Sequence, residues 1–385
     1  MIPSCIEVYP DRAAWLAARR RLEGSCPHTL TGHYRIGASD IGRILGVSPH
    51  GGPWDVWLDK REGRAEEDNA DMAQGRRWEA RVLEDYAEET GAQVLSPTVD
   101  SPPAVRKGVP HGESSLRHEP CGGVILRHAE LPWATCSPDG FVSTTGLWCG
   151  GEEGGPCWCG LHCGEAHRGA WAGVECKAVM DPGAAALWEE ETQVIEPGNL
   201  FDRTDWPAPP AYCLQVYWSL AVTGLPFWDL AAILMPRRGR LVYHRFLADA
   251  EYQAALLAQV GAWRQRHLVE GVEPEIDDSA AAWSYYASRP HEAPLREATP
   301  EELALALELH RAQKDEADAK KRKERLRNEL ASRIRGVAGV ALGPAVGRKK
   351  PPRAVWQHQK GSTHTVVREA TDFIRLWGLS TEEET

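Results

Sequence analysis

Apolar positions recur at helical spacing through much of the chain, and short apolar or alternating runs break that rhythm. Residues 11–22 put Trp15 and Leu16 on one side of a short amphipathic helix. In "YRIGASDIGRILGVSP", Ser39 fits a helix N-cap, Ile41, Ile44 and Leu45 supply an apolar face, and Gly46 is a stop. Residues 53–61 resume a helical pattern with Trp54, Trp57 and Leu58. "DMAQGRRWEARVLEDYAEETG" carries a stripe of Met72, Val82, Leu83 and Tyr86 that Gly91 ends. Glu79 sits on that stripe, seven residues after Met72 and three and four before Val82 and Leu83.

Residues 92–145 read as strands and loops, closing with "PWATCSPDGFVST". Residues 146–172, rich in Gly, Cys and Trp, read as an inserted loop, and "GVECKAV" follows as a strand. A helix is expected over 184–195 and a Pro-rich connection over 196–210. "AYCLQVYWSLAVTG" has no charged residue, which predicts a buried helix ending at Gly224. "FWDLAAILMPRRGRLVYHRF" reads as a hairpin turning across Pro236–Gly239, and a helix from about 249 to 270 completes the unit. This order predicts an α/β domain over 1–270 with a mixed central β-sheet flanked by helices. Residues 271–298 read as linker. Residues 299–335 read as a long helix with Thr299–Glu302 as capping box, and "RAVWQHQKGSTHTVV" as a possible hairpin before a short helix around Phe373–Trp377. The extension as a whole runs over 299–385.

Composition changes this picture little: 385 residues, 42% hydrophobic and 26% charged, suit a soluble protein with a sizeable core. No apolar run reaches the roughly 18–20 residues of a membrane span, and the first twenty residues lack the pattern of a secretion signal, so a cytoplasmic location is expected. The net charge of −11 argues against nucleic-acid binding by bulk electrostatics but leaves local binding open, because a carboxylate site that holds a cation is acidic by construction. Residues 314–327 are locally basic. Structural disulfides are not expected in a cytoplasmic chain with ten cysteines.

The candidate chemistry lies in two short stretches. Glu175 and Lys177, two apart, point to one side of their strand while Cys176 points to the other. Asp139 stands in a Pro-Asp-Gly turn at the mouth of the preceding strand. If those strands pair, Asp139, Glu175 and the Cys176 carbonyl form a set of hard oxygen ligands for Mg²⁺, or for Mn²⁺ in its place. Lys177 would then hold the attacking water or stabilise charge on a phosphate. This is the P-D…(D/E)-x-K nuclease arrangement. The alternative is a turn aspartate beside an exposed Glu/Lys face.

In order, "YRIGASDIGRILGVSP", "GRRWEARVLEDYAEETG", "ATCSPDGFV", "GVECKAV" and "YCLQVYWSLAVTG" resemble the bacteriophage lambda exonuclease/YqaJ family of recombination nucleases over roughly residues 34–270. The resemblance implies a restriction-endonuclease-like PD-(D/E)XK core. It implies Asp139 and Glu175 as metal carboxylates, the Cys176 carbonyl as main-chain ligand, Lys177 as catalytic lysine and Glu79 as the helix carboxylate approaching the metal. Gln215 matches the family's glutamine near the active site, with a core glutamine as the plainer reading. Arg35, Ser39 and Ser137 match a pocket for a DNA 5′-phosphate, where an arginine fork and a helix start favour an anion. The implied activity is Mg²⁺-dependent digestion of linear double-stranded DNA, 5′ to 3′, leaving 3′ overhangs for phage or prophage recombination. Double-stranded DNA ends are the implied substrate, a single-strand annealing protein the implied partner, and a homo-trimer the implied assembly. A nuclease of other polarity, an endonuclease, or a non-catalytic DNA-end-binding module are the alternatives.

Two features depart from the family pattern. Between Asp139 and Glu175 lies a Cys-rich insertion in which Cys149, Cys157, Cys159 and Cys163, with His162 and His167 as alternates, have the composition of a structural Zn²⁺ site but not the usual paired C-x2-C spacing. The helical C-terminal extension is the other; it is read as a partner surface, an oligomer contact or a DNA-contacting arm, with a charge-rich helix that is simply solvated as the plainer reading.

Overall fold

The computed structural model describes residues 5–9, 12–20, 34–63, 70–95, 123–143, 171–198, 204–237, 239–288, 296–335, 339–341 and 353–355. The cysteine-rich insertion and the tail beyond Val355 lie outside these residues, so the zinc expectation and the terminal helix are carried by sequence only. Two units are distinguished, Met1–Ser284 and Tyr285–Thr385.

The first unit begins with β1 (Cys5–Tyr9), α1 (Arg12–Arg20), α2 (Ala38–Ile44), α3 (Pro53–Glu62) and α4 (Ala70–Thr90). The strands β2 (Gln93–Leu95), β3 (Gly123–Arg127), β4 (Thr135–Cys136), β5 (Gly140–Ser143) and β6 (Trp171–Val179) follow. After one helical turn, α5 (Pro182–Ala185), come β7 (Val194–Ile195), α6 (Pro210–Thr223), β8 (Phe227–Leu234), β9 (Arg240–Leu247) and α7 (Ala250–Arg264). Six strands form the central sheet in the order β2-β5-β6-β8-β9-β7. The β6–β8 and β7–β9 pairs are parallel and the others antiparallel, so the sheet is mixed, as the sequence predicts. A second sheet, β1-β3-β4, is joined to the segment before α2 by the Ile36–Ala134 bridge.

Strand β6 is apolar because it is paired on both edges and covered on both faces. On one face Ala172, Val174 and Cys176 pack with Val142, Ala231 and Ile233 beneath Val82, Leu83 and Tyr86 of α4. On the other lies α6, whose lack of charge is explained by its burial: Val216, Tyr217, Trp218 and Leu220 are fully enclosed. Gly91 and Gly224, both with positive φ, stop α4 and α6 where the sequence places their ends.

Gly173, which opens "GVECKAV", has a packing reason. A Cβ there would sit 2.3 Å from the ring of Trp228, which is fully buried on β8 at the paired position. Backbone and indole on adjacent central strands cannot both yield. Gly173→Ala is therefore expected to destabilise the protein by about 1–3 kcal/mol, read as a lower melting temperature.

A buried polar bridge ties α4 to the sheet. Asp229 of β8 is fully buried and receives Arg245 of β9 at 2.9 and 2.8 Å, and the Tyr86 hydroxyl of α4 donates to the same carboxylate. The Asp229 carboxylate is fully enclosed but hydrogen-bonded, while the Arg245 side chain stays 37% exposed, which lessens the desolvation cost of the pair.

The structure corrects three expectations. Residues 184–195 are not a helix: Asp181 caps the single turn of α5, and Val194–Ile195 pairs in parallel with β9 instead. An available sheet edge outweighs the modest helical propensity of that stretch. The stretch 271–298 contains a helix, α8 (Ala280–Ala287), and its first part is docked: Trp54 Nε1 donates to the Glu275 carbonyl at 2.9 Å. Ser39 is not an N-cap. It lies inside α2, whose cap is Gly37, and the Asp40 carboxylate receives the Gly37 N–H at 2.9 Å.

The second unit holds the long helix α9 (Pro300–Arg333), started by the expected Thr299–Glu302 capping box. In it β10 (Gly339–Ala341) pairs with β11 (Arg353–Val355). The rest of the expected hairpin, after Val355, lies outside the described residues.

Candidate active site

The β5–β6 register aligns Gly140 with Val174, which sets Asp139 opposite the stretch carrying Glu175. The Cys176 N–H donates to Asp139 Oδ2 at 2.8 Å, so the turn carboxylate is held to the strand by the residue between Glu175 and Lys177. Cys176 turns its own side chain into the core beneath α4. Glu175, 4% exposed, accepts on Oε1 from Lys177 Nζ and from Gln215 Nε2, each at 2.5 Å. Gln215 thus reaches down from the uncharged helix to the carboxylate. Tyr212, one turn earlier on α6, places its ring 5.0 Å from the Lys177 ammonium.

The electrostatics follow from this crowding. Burial raises the Asp139 carboxyl well above its ordinary range, and the charges of Glu175 and Glu79 raise it further against the opposing pull of Lys177 and the Cys176 N–H. Burial alone would lower the Lys177 ammonium, but Glu175 and Asp139 outweigh it and hold the lysine more firmly protonated than usual. Burial also pushes the Cys176 thiol up, which favours its neutral form. Glu79, half-buried on α4, acts on Asp139 through space.

A divalent cation fits this donor set. Oδ1 of Asp139 and Oε2 of Glu175 accept no hydrogen bond from any described residue, and the carboxylates repel one another until a cation or protons intervene. Among the described residues, no three His, Cys, Asp or Glu side chains converge as a complete cage. The set suits a hard ion that keeps waters and takes a phosphate oxygen, with Asp139, Glu175 and a main-chain carbonyl as protein ligands.

The three residues matched to a phosphate pocket separate. The Arg35 guanidinium is buried and clamped on Glu7 of β1 at 2.6 and 2.9 Å; Arg127 of β3 reaches the same carboxylate at 3.1 Å, and Tyr9 also donates to it. Its fork is used within the fold, and it is not offered to an anion. Ser39 is exposed, and its Oγ accepts from Arg19 at 2.6 Å. Ser137 is half-buried in the turn before Asp139.

Arg19, which meets Ser39, was not among the sequence candidates. It lies four residues after Trp15 on α1 and stacks over that ring at 4.6 Å. Its own carbonyl is pinned by buried Lys60, which also pairs with Asp40 at 3.0 Å. The Trp15/Arg19 i,i+4 spacing was a usable signal for an ordered arginine. Helix α2, which presents Ser39, packs closely on α6: a Cβ on Gly42 would lie 2.8 Å from the Ala211 Cβ, next to Tyr212 and one turn from Gln215.

A mixed sheet holds two carboxylates and a lysine at the junction of paired strands, with a carboxylate-bearing helix alongside, and the family to which the chain belongs is one of nucleases acting on DNA. The chain belongs to the family of the YqaJ-like viral recombinase domain, which matches residues 14–226. No curated protein matches it. Among solved structures it is similar to an alkaline exonuclease (LHK-Exo) from Laribacter hongkongensis, at 17% identity and a TM-score of 0.38, over 66% of this chain and 92% of that one. The same enzyme in complex with dAMP gives 16% identity and a TM-score of 0.37, over 61% and 89%. Among the described residues, no helix is long and apolar enough to cross a membrane.

Proposed function

We propose that the protein is a Mg²⁺-dependent exonuclease that removes nucleotides from the 5′ ends of linear double-stranded DNA and leaves 3′ single strands for recombination. The observation that carries this reading is the convergence of Asp139, Glu175 and Lys177 through the Cys176 N–H and the Gln215 amide. When bound, Mg²⁺, or Mn²⁺ in its place, would polarise the scissile phosphate and lower the pKa of a water ligand. Cys176 N–H and Gln215 Nε2 each hold one oxygen of a carboxylate, so that the second oxygen of each would be available to a cation. Lys177, kept protonated, orients the attacking water and stabilises the charge that builds on the phosphate. Arg19 and Ser39 receive the 5′-terminal phosphate and register the first phosphodiester over the carboxylates. The 3′ strand so exposed is a substrate for a single-strand annealing protein, the partner this activity requires.

The test is digestion of end-labelled linear duplex with Mg²⁺, set beside closed-circular DNA and duplex with 5′-hydroxyl ends. The expected result is loss of the 5′ label first, no cutting of the circle, and at least tenfold faster digestion of 5′-phosphorylated ends. Cutting of the circle would make the protein an endonuclease, and first loss of the 3′ label would reverse the polarity. Binding without any metal-dependent cleavage would make it an end-binding module.

A further inference from the structure

Helix α9 is 34 residues long, and none of them is buried. Four of its six leucines nevertheless share one seam, with Leu303 and Leu307 beside it. Leu305, Leu309, Leu326 and Leu330 are 67%, 38%, 50% and 41% exposed, and they fall on one seam of alternating four- and three-residue steps. Between them the same seam runs through Ala312, Glu316, Ala319 and Lys323. That is the a/d repeat of a coiled coil, with small or charged side chains at its middle. A charge-rich helix that is merely solvated has no reason to keep leucine in register over a helix about 50 Å long.

The charges are also sorted. Residues 300–316 carry five acidic and two basic side chains, whereas residues 317–333 carry three acidic and seven basic. We infer that α9 pairs with α9 of a second copy of this chain as an antiparallel two-stranded coiled coil. Setting Leu309 against Leu326 of the second copy also sets Leu305 against Leu330, so leucine meets leucine at both ends. The same register places Glu316 opposite Ala319 and Lys323 opposite Ala312. Each charged side chain then lies over a methyl group; Glu316 has Lys323 of the other copy in the layer on one side and Glu316 of the other copy in the layer on the other. A parallel pair in register would stack Glu316 on Glu316 and Lys323 on Lys323, with like-charged halves side by side. The antiparallel pair brings the acidic half of each helix to the basic half of the other, and it is isologous, so each such contact joins two copies and no more, whatever the core assembles into. The basic half by itself would also suit a DNA backbone. Continuation of the leucine seam through it, at Leu326 and Leu330, favours a helix as the partner.

The test uses the full chain. Light scattering after size exclusion is expected to show an assembly whose mass halves in the Leu309→Asp/Leu326→Asp variant. All substituted positions are exposed, so the variant is expected to retain its melting temperature and its digestion of linear duplex. Lys323→Glu is expected to weaken the pairing at least tenfold, and Glu316→Lys/Lys323→Glu to restore it. A photo-cross-linker at position 326 is expected to attach to residues near 309 of a second, isotopically labelled copy. An unchanged mass in the double-leucine variant overturns the inference, including the case in which only duplex affinity falls because the helix serves DNA. Attachment near residue 326 of the second copy overturns the antiparallel orientation.

Discussion

Lys177→Ala is expected to lower the rate of duplex digestion by 10²–10³-fold or more, with the fold and the response to Mg²⁺ intact, whereas Asp139→Asn is expected to lose both. The lysine is 20% exposed at its side chain and lies at the rim of the site, so truncation removes a cation without opening a core cavity. It does leave Glu175 with only the Gln215 amide on Oε1, which favours cation binding if anything. Asp139 plays the other part. Its replacement by Asn keeps an acceptor for the Cys176 N–H but removes one of the charges that draw in the metal. Thermal melting with and without Mg²⁺ separates the two cases. A ligand that binds only the folded state adds about 2.7 kcal/mol at a concentration a hundredfold above its Kd. That increment is expected in the parent and in Lys177→Ala, and it is expected to vanish in Asp139→Asn. Parental digestion rates in either variant would remove the site from the chemistry. A parental Mg²⁺ increment in Asp139→Asn would move the metal elsewhere.

How far the site was legible depends on how local each relation is. Glu175 and Lys177 are two residues apart in a strand, and pleated geometry alone puts them on one face. Asp139 required one further step, the pairing of the next strand, and the Pro-Asp-Gly turn marks where that strand begins. Gln215 stood out because a polar amide on an otherwise apolar helix needs a partner, and Glu175 is that partner. The buried Asp229 was passed over inside "FWDLAAIL". Counting back from the turn at Pro236–Gly239 would have placed Arg245 directly across the hairpin from it. At the expected phosphate pocket the structure separates Arg35 from Ser39, for a different reason. Arg35 was matched to the pocket by the resemblance of its block to the family, and Arg19, sixteen residues before it, carried no expectation. What decides between them is Glu7 and Arg127, brought to Arg35 by β1 and β3 across a long stretch of chain. No periodicity records a pairing at that separation. The stretch 184–195 failed likewise, because the β9 edge that recruits Val194 and Ile195 is formed some fifty residues later.

The reassignment of the two arginines carries the second large effect. Arg35→Met is expected to cost about 3–5 kcal/mol of stability, because it breaks a buried ion pair from one side. Arg35 and Arg127 are 2% and 3% exposed, and Glu7 is the acid that both of them meet. Burial alone would raise the Glu7 carboxyl, but hydrogen bonds from Arg35 and Tyr9 and the charges of both arginines bring it below its ordinary range. A carboxyl lowered in this way contributes stability above its ordinary pKa and loses it as pH falls through the lowered one. Glu7→Gln is therefore expected to bring the melting temperature down at neutral pH and to flatten its fall in acid. Arg19→Ala should behave in the opposite manner. Its guanidinium donates to exposed Ser39, so the melting temperature stays within a degree or two while the preference for 5′-phosphorylated ends drops about tenfold. Parallel melting curves and digestion of phosphorylated and hydroxyl-ended duplex decide the matter. If Arg35→Met melts with the parent and loses the phosphate preference, the buried clamp on Glu7 opens in solution and Arg35 returns to the pocket. If Arg19→Ala alone loses the preference, the anion site is built on α1 and α2, and Arg35 belongs to the frame that holds them.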